Sequence, residues 1–292
     1  MSHTLKAWFT ATRPWSFTAS ASPVAVTLAW LWGTGHTMNW IYGLWTLATV
    51  VLVHAAGNVW SDYFDFKQKV DASDTFGAKF LTSGQFRPEE TLRLSVILNL
   101  IAILSGIGII LLTGLTSLWL GLGGIGLSLL YPYLKYRALG DVVIFLCYTL
   151  LPTLATTYTT TGQLIWGALI PSIASGLITV AILHANNTRD IQTDQRAGIR
   201  TLPMLTGIRT AVGIYLMQIV LPYAWITGLC ACGILKFWTM TVYLSLPLAI
   251  GNIRKFTQTY AAHGTIPPDC DTRTAQLQMT FSVLLIIGLA LS

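Results

Sequence analysis

Two short stretches concentrate side chains able to do ionic chemistry. The first, GNVWSDYFDFKQKVDASD, places Asn58, Asp62 and Asp65 at spacings of i, i+4 and i+7, which is one face of a helix, with Asp71 and Asp74 following. The second, HANNTRDIQTDQRAGIRTL, places Asn187, Asp190 and Asp194 at i, i+3 and i+7. Carboxylates a turn apart offer hard oxygen ligands to Mg2+, an ion that keeps several waters and takes one or two protein carboxylates together with substrate phosphate oxygens. Two such sets facing each other could hold two or three magnesium ions around a diphosphate. Cations interleave with them: Lys67, then Lys135 and Arg137 beside Tyr131 in YPYLKYRALGD, then Arg189 and Arg200. Metal ions bridge some phosphate oxygens, and positive side chains pair with the rest. Lys69, Lys79, Arg87, Arg196, Arg254 and Lys255 read better as determinants of topology.

The elements that must carry these residues are apolar. Of 292 residues, 53% are hydrophobic and 10% charged, with mean hydropathy +0.63. A soluble domain carries roughly a quarter charged residues, so the composition argues against a cytosolic globular enzyme, and a disordered chain is poor in apolar ones, so that class is excluded. Eleven Trp, eleven Tyr and eleven Phe suit a protein with two lipid–water interfaces. Nine apolar segments are expected near 14–33, 40–61, 93–112, 116–134, 142–161, 164–186, 210–231, 237–252 and 275–292. Most reach the ~20 residues that cross about 30 Å of hydrocarbon; the eighth is short and the ninth runs to the last residue. The first is too long, and lacks the cleavage pattern, for a removable signal peptide.

Loops 1, 3 and 5 carry no formal charge and loop 7 only Lys236, whereas the other Lys and Arg, and every Asp and Glu, fall at the N-terminus or around loops 2, 4, 6 and 8. The positive-inside rule puts that side in the cytoplasm. It also explains the net charge of +6 and pI near 9.2 without a nucleic-acid partner. Acids obey no such rule, so their confinement to the same side needs another cause. Asp62 and Asp65 end an apolar run, where the helix dipole and the hydrocarbon boundary both disfavour an idle carboxylate. The two acid sets lie four spans apart at the same membrane face, a weak internal repeat contributing half a site each. The four Cys show neither metal-ligand nor disulfide-framework spacing.

Together, Asn58-x3-Asp62-Tyr63-x-Asp65 with Asp71, the Tyr131-x3-Lys135 turn, and Asn187-x-Arg189-Asp190-x3-Asp194-x3-Gly198-x-Arg200-Thr201 resemble the UbiA superfamily of intramembrane aromatic prenyltransferases. NVWSDYFDFKQKVD, RPWSFTASASPV, KYRALGDVVIFL and NNTRDIQTDQRAGIRTL look most like its 1,4-dihydroxy-2-naphthoate polyprenyltransferases. The resemblance spans about residues 11–205. It implies an all-α, polytopic membrane protein of about nine transmembrane helices around a central cavity, a single domain over 1–292 with a cytoplasmic N-terminus, in the bacterial inner membrane. By position it implies that Asn58, Asp62, Asp65, Asp190 and Asp194 bind Mg2+ and prenyl diphosphate. It further implies that Tyr131, Lys135, Arg137 and Arg200 contact or cover the diphosphate. Ser61 stands where the family usually has Asn, and Lys69 replaces a frequent Gly. The implied reaction joins a polyprenyl group to dihydroxynaphthoate with loss of CO2, as in menaquinone synthesis; 4-hydroxybenzoate is the alternative acceptor. Arg13 is a candidate for the acceptor carboxylate, and His54 and His184, inside the bundle, for polar contacts to the acceptor. From other classes, a secondary transporter would hold its ionisable groups near the bilayer midplane, and a CDP-alcohol phosphotransferase would show a D-G-x2-A-R string that is missing. Loops 2 and 6 are long enough to form lids.

Overall fold

The acids and cations are carried by long helices joined at one end of a bundle. The computed structural model describes residues 4–71, 75–76 and 79–292; Asp74 lies outside them. The helices are α1 (Leu5–Ala11), α2 (Phe17–Gly33), α3 (Trp40–Lys67), α4 (Pro88–Thr113), α5 (Leu115–Lys135), α6 (Gly140–Phe145), α7 (Leu151–Thr161), α8 (Leu169–Arg189), α9 (Ile191–Arg196), α10 (Leu202–Thr206), α11 (Ile208–Ala231), α12 (Leu246–His263) and α13 (Cys270–Ala290). A π turn at Leu146–Leu150 joins α6 to α7 in one span, and a 3₁₀ run at Phe237–Ser245 leads into α12. The architecture is helical throughout the described residues, as expected.

Among the described residues, helical segments occur at all nine expected positions, and seven are long and apolar enough to cross a bilayer. The two that fall short are α2, at 17 residues, and the segment made of the 3₁₀ run and α12. That second segment ends in the polar stretch Arg254–His263, well past the expected boundary near 252.

Local chemistry sets the boundaries. The Asn39 side chain caps α3 by accepting from the Ile41 and Tyr42 amides. Pro88 opens α4, where a missing N–H costs nothing, and Glu90 Oε2 accepts from the Arg87 amide at 2.8 Å. Gly114, at φ +99°, makes the hairpin between α4 and α5, a conformation closed to most side chains.

Packing divides the bundle. On one side α2, α8, α11, α12 and α13 share a core that includes Ile178, Tyr215, Ile219, Phe281 and Leu285. Small residues let these helices approach: a Cβ on Gly288 would come 2.4 Å from the Trp238 carbonyl oxygen. On the other side α4 and α5 expose Leu104, Leu111, Leu115 and Leu122 outward, as a lipid-facing surface must. Exposed Trp32, Trp40, Trp119, Trp166 and Trp238 cluster by position at the end away from the acids, where aromatic rings settle at an interface.

Candidate active site

Between α2, α3, α4, α5, the α6–α7 span and α8 lies a cavity of about 980 Å³. Its far walls are apolar, with Val50, Ile107, Ile110, Leu118 and Ile125 among them, and its near end is ionic. That end draws on every loop of one membrane face: Arg13 before α2, Asp65 and Asp71 around the end of α3, Lys135 closing α5, Asp190 and Asp194 after α8, and Asp271 opening α13. The two acid sets, far apart in sequence, therefore face one space.

The first set is held from a distance. Asp65 Oδ2 accepts from Lys135 Nζ at 3.0 Å and from Ser61 Oγ at 3.2 Å, while Oδ1 accepts from Tyr136 Oη at 2.8 Å. These donors offset the unfavourable end of the α3 dipole. The serine that departs from the family pattern thus serves the same carboxylate. Asp62 is turned toward Arg13, with which it pairs, and does not line the cavity. Asn58 Nδ2 donates to the Thr12 carbonyl and Ser16 Oγ, both at 3.0 Å, fastening α3 to the start of α2.

The second set is held locally. α8 stops at Arg189; Asp190, at φ −93° and ψ 10°, separates it from α9. The break lets Asn187, Asp190 and Asp194 all line the cavity. Arg189 grips Asp190 through Nε at 2.8 Å and a second nitrogen at 2.9 Å, reaches Asp271 Oδ2 at 3.1 Å, and stacks 4.4 Å over the Phe76 ring of loop 2. Loops 2 and 6 thereby touch above the site. Burial, above all, pushes the Asp71 carboxyl up to about 6 and Asp194 up to about 7, with neighbouring acids adding to the rise.

Of the residues singled out by spacing, the cavity brings together Asn58, Asp65, Asp71, Tyr131, Lys135, Asn187, Arg189, Asp190 and Asp194. It leaves out Asp62, Lys67, Arg137 and Arg200. Lys67 is exposed, its Nζ 5.9 Å from the Tyr63 ring. The Arg137 guanidinium stacks 3.4 Å from the Tyr133 ring, and both Arg137 and Arg200 side chains are exposed. What these two arginines join is backbone: they form an isolated bridge, with Ala138 N donating to Arg200 O at 2.8 Å and Arg200 N to Tyr136 O at 3.1 Å. The bridge ties loop 4, with its Lys135–Tyr136 pair, to loop 6. Residues that spacing did not single out are Asn186 and Asp271, both lining the cavity, and Tyr136, which donates to Asp65. The signal for Asp271 was its place at the start of the ninth apolar segment, on the same face as the other acids.

A second polar wall runs from Arg13, the partner of Asp62, toward the interior of the bundle. His54 Nδ1 hydrogen-bonds Ser20 Oγ at 3.0 Å, Tyr148 meets the His54 ring edge-on at 4.9 Å, and the buried Arg13 Nε has no hydrogen-bond partner among the described residues. The π turn carries Cys147 and Tyr148 into the cavity. His184 does not line the cavity.

These residues suit Mg2+. Among the described residues no three carboxylate, thiolate or imidazole groups form a ready-made metal cage. The cavity instead presents oxygen donors from two sides, which matches an ion that completes its shell with water and phosphate. Two of those carboxyls are desolvated and of raised pKa, a strain that a hard cation relieves.

The fold and site define an integral membrane protein with an ionic head on an apolar cavity. Residues 20–264 match the UbiA prenyltransferase family, and the chain belongs to it: it is a UbiA-type prenyltransferase. It is similar to the UbiA prenyltransferase domain-containing protein 1 homolog of Drosophila melanogaster, 33% identical over 301 residues and covering 97% of this chain and 79% of that one. It is also similar to 1,4-dihydroxy-2-naphthoate octaprenyltransferase of Bacillus subtilis (strain 168), 29% identical over 294 residues, with 96% and 91% covered. A UbiA homolog from Archaeoglobus fulgidus, solved bound to GPP and Mg2+, shares the fold at TM-score 0.64 and 14% identity, over 98% of this chain and 99% of that one.

Proposed function

We propose that the protein transfers a polyprenyl group from an allylic prenyl diphosphate to 1,4-dihydroxy-2-naphthoate, releasing diphosphate and CO2, from an ionic head at the cytoplasmic face of a bacterial inner membrane. The observation that carries this reading is the shared cavity: carboxylates from two segments, with Lys135 and Arg189, at one end and apolar walls at the other. The likeness to the naphthoate enzyme of B. subtilis supports the acceptor.

Asp65 and Asp71 on one side, and Asp190 and Asp194 on the other, would hold magnesium, with Asn58, Asp62 and Asn187 adjoining. Bound Mg2+ supplies charge neutralisation of the diphosphate as it leaves. Lys135 and Arg189 add positive charge where the leaving oxygens gain negative charge, an effect that a low local dielectric strengthens. The allylic C–O bond breaks with its electron pair going to diphosphate. Apolar walls keep water from the allyl cation. The Arg13, Ser20, His54 and Tyr148 wall holds the hydroxylated acid so that the ring carbon bearing carboxylate attacks the cation. The new C–C bond forms, and CO2 departs leaving its electron pair to restore the aromatic ring.

Purified protein with Mg2+, a labelled prenyl diphosphate and either dihydroxynaphthoate or 4-hydroxybenzoate tests this reading. CO2 evolution with the naphthoate is expected. Turnover of 4-hydroxybenzoate in its place reassigns the acceptor, and no diphosphate release with any acceptor removes the enzymatic reading.

A further inference from the structure

Asp141 and His184 form an ion pair for which the reaction above has no use. Neither lines the cavity. His184 is 0% exposed and Asp141 8%. His184 Nδ1 lies 2.7 Å from Asp141 Oδ2, and Nε2 lies 3.0 Å from the Ala211 carbonyl oxygen of α11. Both ring nitrogens thus face oxygen acceptors, one a carboxyl and one a backbone carbonyl, which fixes the ring between α6 and α11. Such a pair is a weak stabiliser, because desolvating two ions offsets their attraction and an apolar pair of similar volume is often as stable. Asp141 Oδ1 has, in addition, no hydrogen-bond partner among the described residues. Stability therefore accounts poorly for the pair.

Position accounts for it better. Asp141 sits in the first turn of α6, directly after the turn that presents Lys135 and Tyr136 to Asp65. That turn contains Ala138 at φ +62°, a left-handed conformation that alanine does not hold unaided. His184 sits on α8 one turn before Asn187 and less than two before Asp190. At Gly140 the start of α6 packs closely on α8: a Cβ there would come 3.1 Å from the Leu183 Cδ2 methyl. The backbone bridge from Arg200 restrains the turn from the loop side, and the ion pair restrains it from within the bundle.

We propose that the Asp141–His184 pair is the positioning strut that fixes the spacing between the two halves of the diphosphate site, holding the Lys135–Tyr136 turn against the end of α8. The proposal rests on reading the cavity as a magnesium diphosphate site. The test uses the full-length protein in lipid nanodiscs, titrated with inorganic pyrophosphate in saturating Mg2+, alongside steady-state turnover of a prenyl diphosphate. Asp141→Asn, His184→Gln and the apolar double variant Asp141→Leu/His184→Leu are compared with wild type. The expected result is about tenfold weaker pyrophosphate binding and a comparably raised KM in folded variant protein, the double variant included although its ions are gone. A purely structural pair would lower the active fraction and leave the affinity and KM of the folded remainder untouched, which overturns the proposal. Recovery of no folded protein from any variant overturns it too, because the pair is then scaffold alone. Wild-type protein that fails to bind magnesium pyrophosphate sinks the reading of the cavity itself, an outcome distinct from wild-type binding that the variants share.

Discussion

The two acid-bearing segments face one cavity but are built in opposite ways. The first runs without a break along α3 and, apart from Ser61 on the same helix, relies on donors from elsewhere: Arg13 for Asp62, and Lys135 and Tyr136 for Asp65. The second interrupts its helix at Asp190 and uses the adjacent Arg189. An unbroken helix turns about 100° per residue, which returns Asp65 to within about 20° of Asn58 but leaves Asp62 about 40° from Asn58 on the other side, roughly 60° from Asp65. One straight helix thus commits only part of its acids to a shared ligand. A helix break commits all of them, and the first half-site is the more dependent on distant parts of the fold.

The largest expected effects test whether both halves are needed. Asp65→Ala and Asp190→Ala should each lower kcat/KM by about 10²–10³-fold in protein that remains membrane-inserted; wild-type turnover in either variant would reduce the site to one half. Next, Lys135→Met, which removes the remote partner of Asp65, should cost between about 10- and 100-fold, measured in the same assay with diphosphate release as readout.

Proton competition at the half-sites gives a third effect. With folded values raised to about 6 for Asp71 and about 7 for Asp194, above the ordinary 3.8, the metal-free fold binds extra protons between pH 4 and 7. The linked stability is present at low pH and is lost as pH rises through that window. Metal-free protein should therefore melt at lower temperature at pH 8 than at pH 5, and the melting-temperature gain from Mg2+ should grow over the same range. A gain independent of pH would mean that these carboxyls do not meet the ion.

The smallest effects belong to the arginines that spacing placed beside the phosphate. Arg137→Ala and Arg200→Ala keep the backbone bridge and remove only exposed side chains, so turnover should stay within about threefold of wild type. A hundredfold loss in either would place its guanidinium on the ligand.

Much of this was legible in the residues. Hydropathy located all nine helical segments, and helical spacing put Asn58 and Asp65 on one face. Charge segregation anticipated that the ends of α3, α5 and α8 would share one side. Three features escaped because each depends on tertiary contact. Periodicity cannot show that Arg13 draws Asp62 aside. It cannot show that Arg137 and Arg200 act through their backbones, since nothing in a side chain's identity announces a bridge between loops. Nor can it reveal that Asp271, remote in sequence, meets Arg189.

The most direct test is electron cryomicroscopy of the protein in nanodiscs with Mg2+ and an unreactive prenyl thiolodiphosphate. The account predicts a diphosphate with its magnesium ions lodged between Asp65 and Asp190, and the prenyl tail running into the apolar cavity. A diphosphate bound away from either segment, or metal ions contacting only one of them, would contradict it.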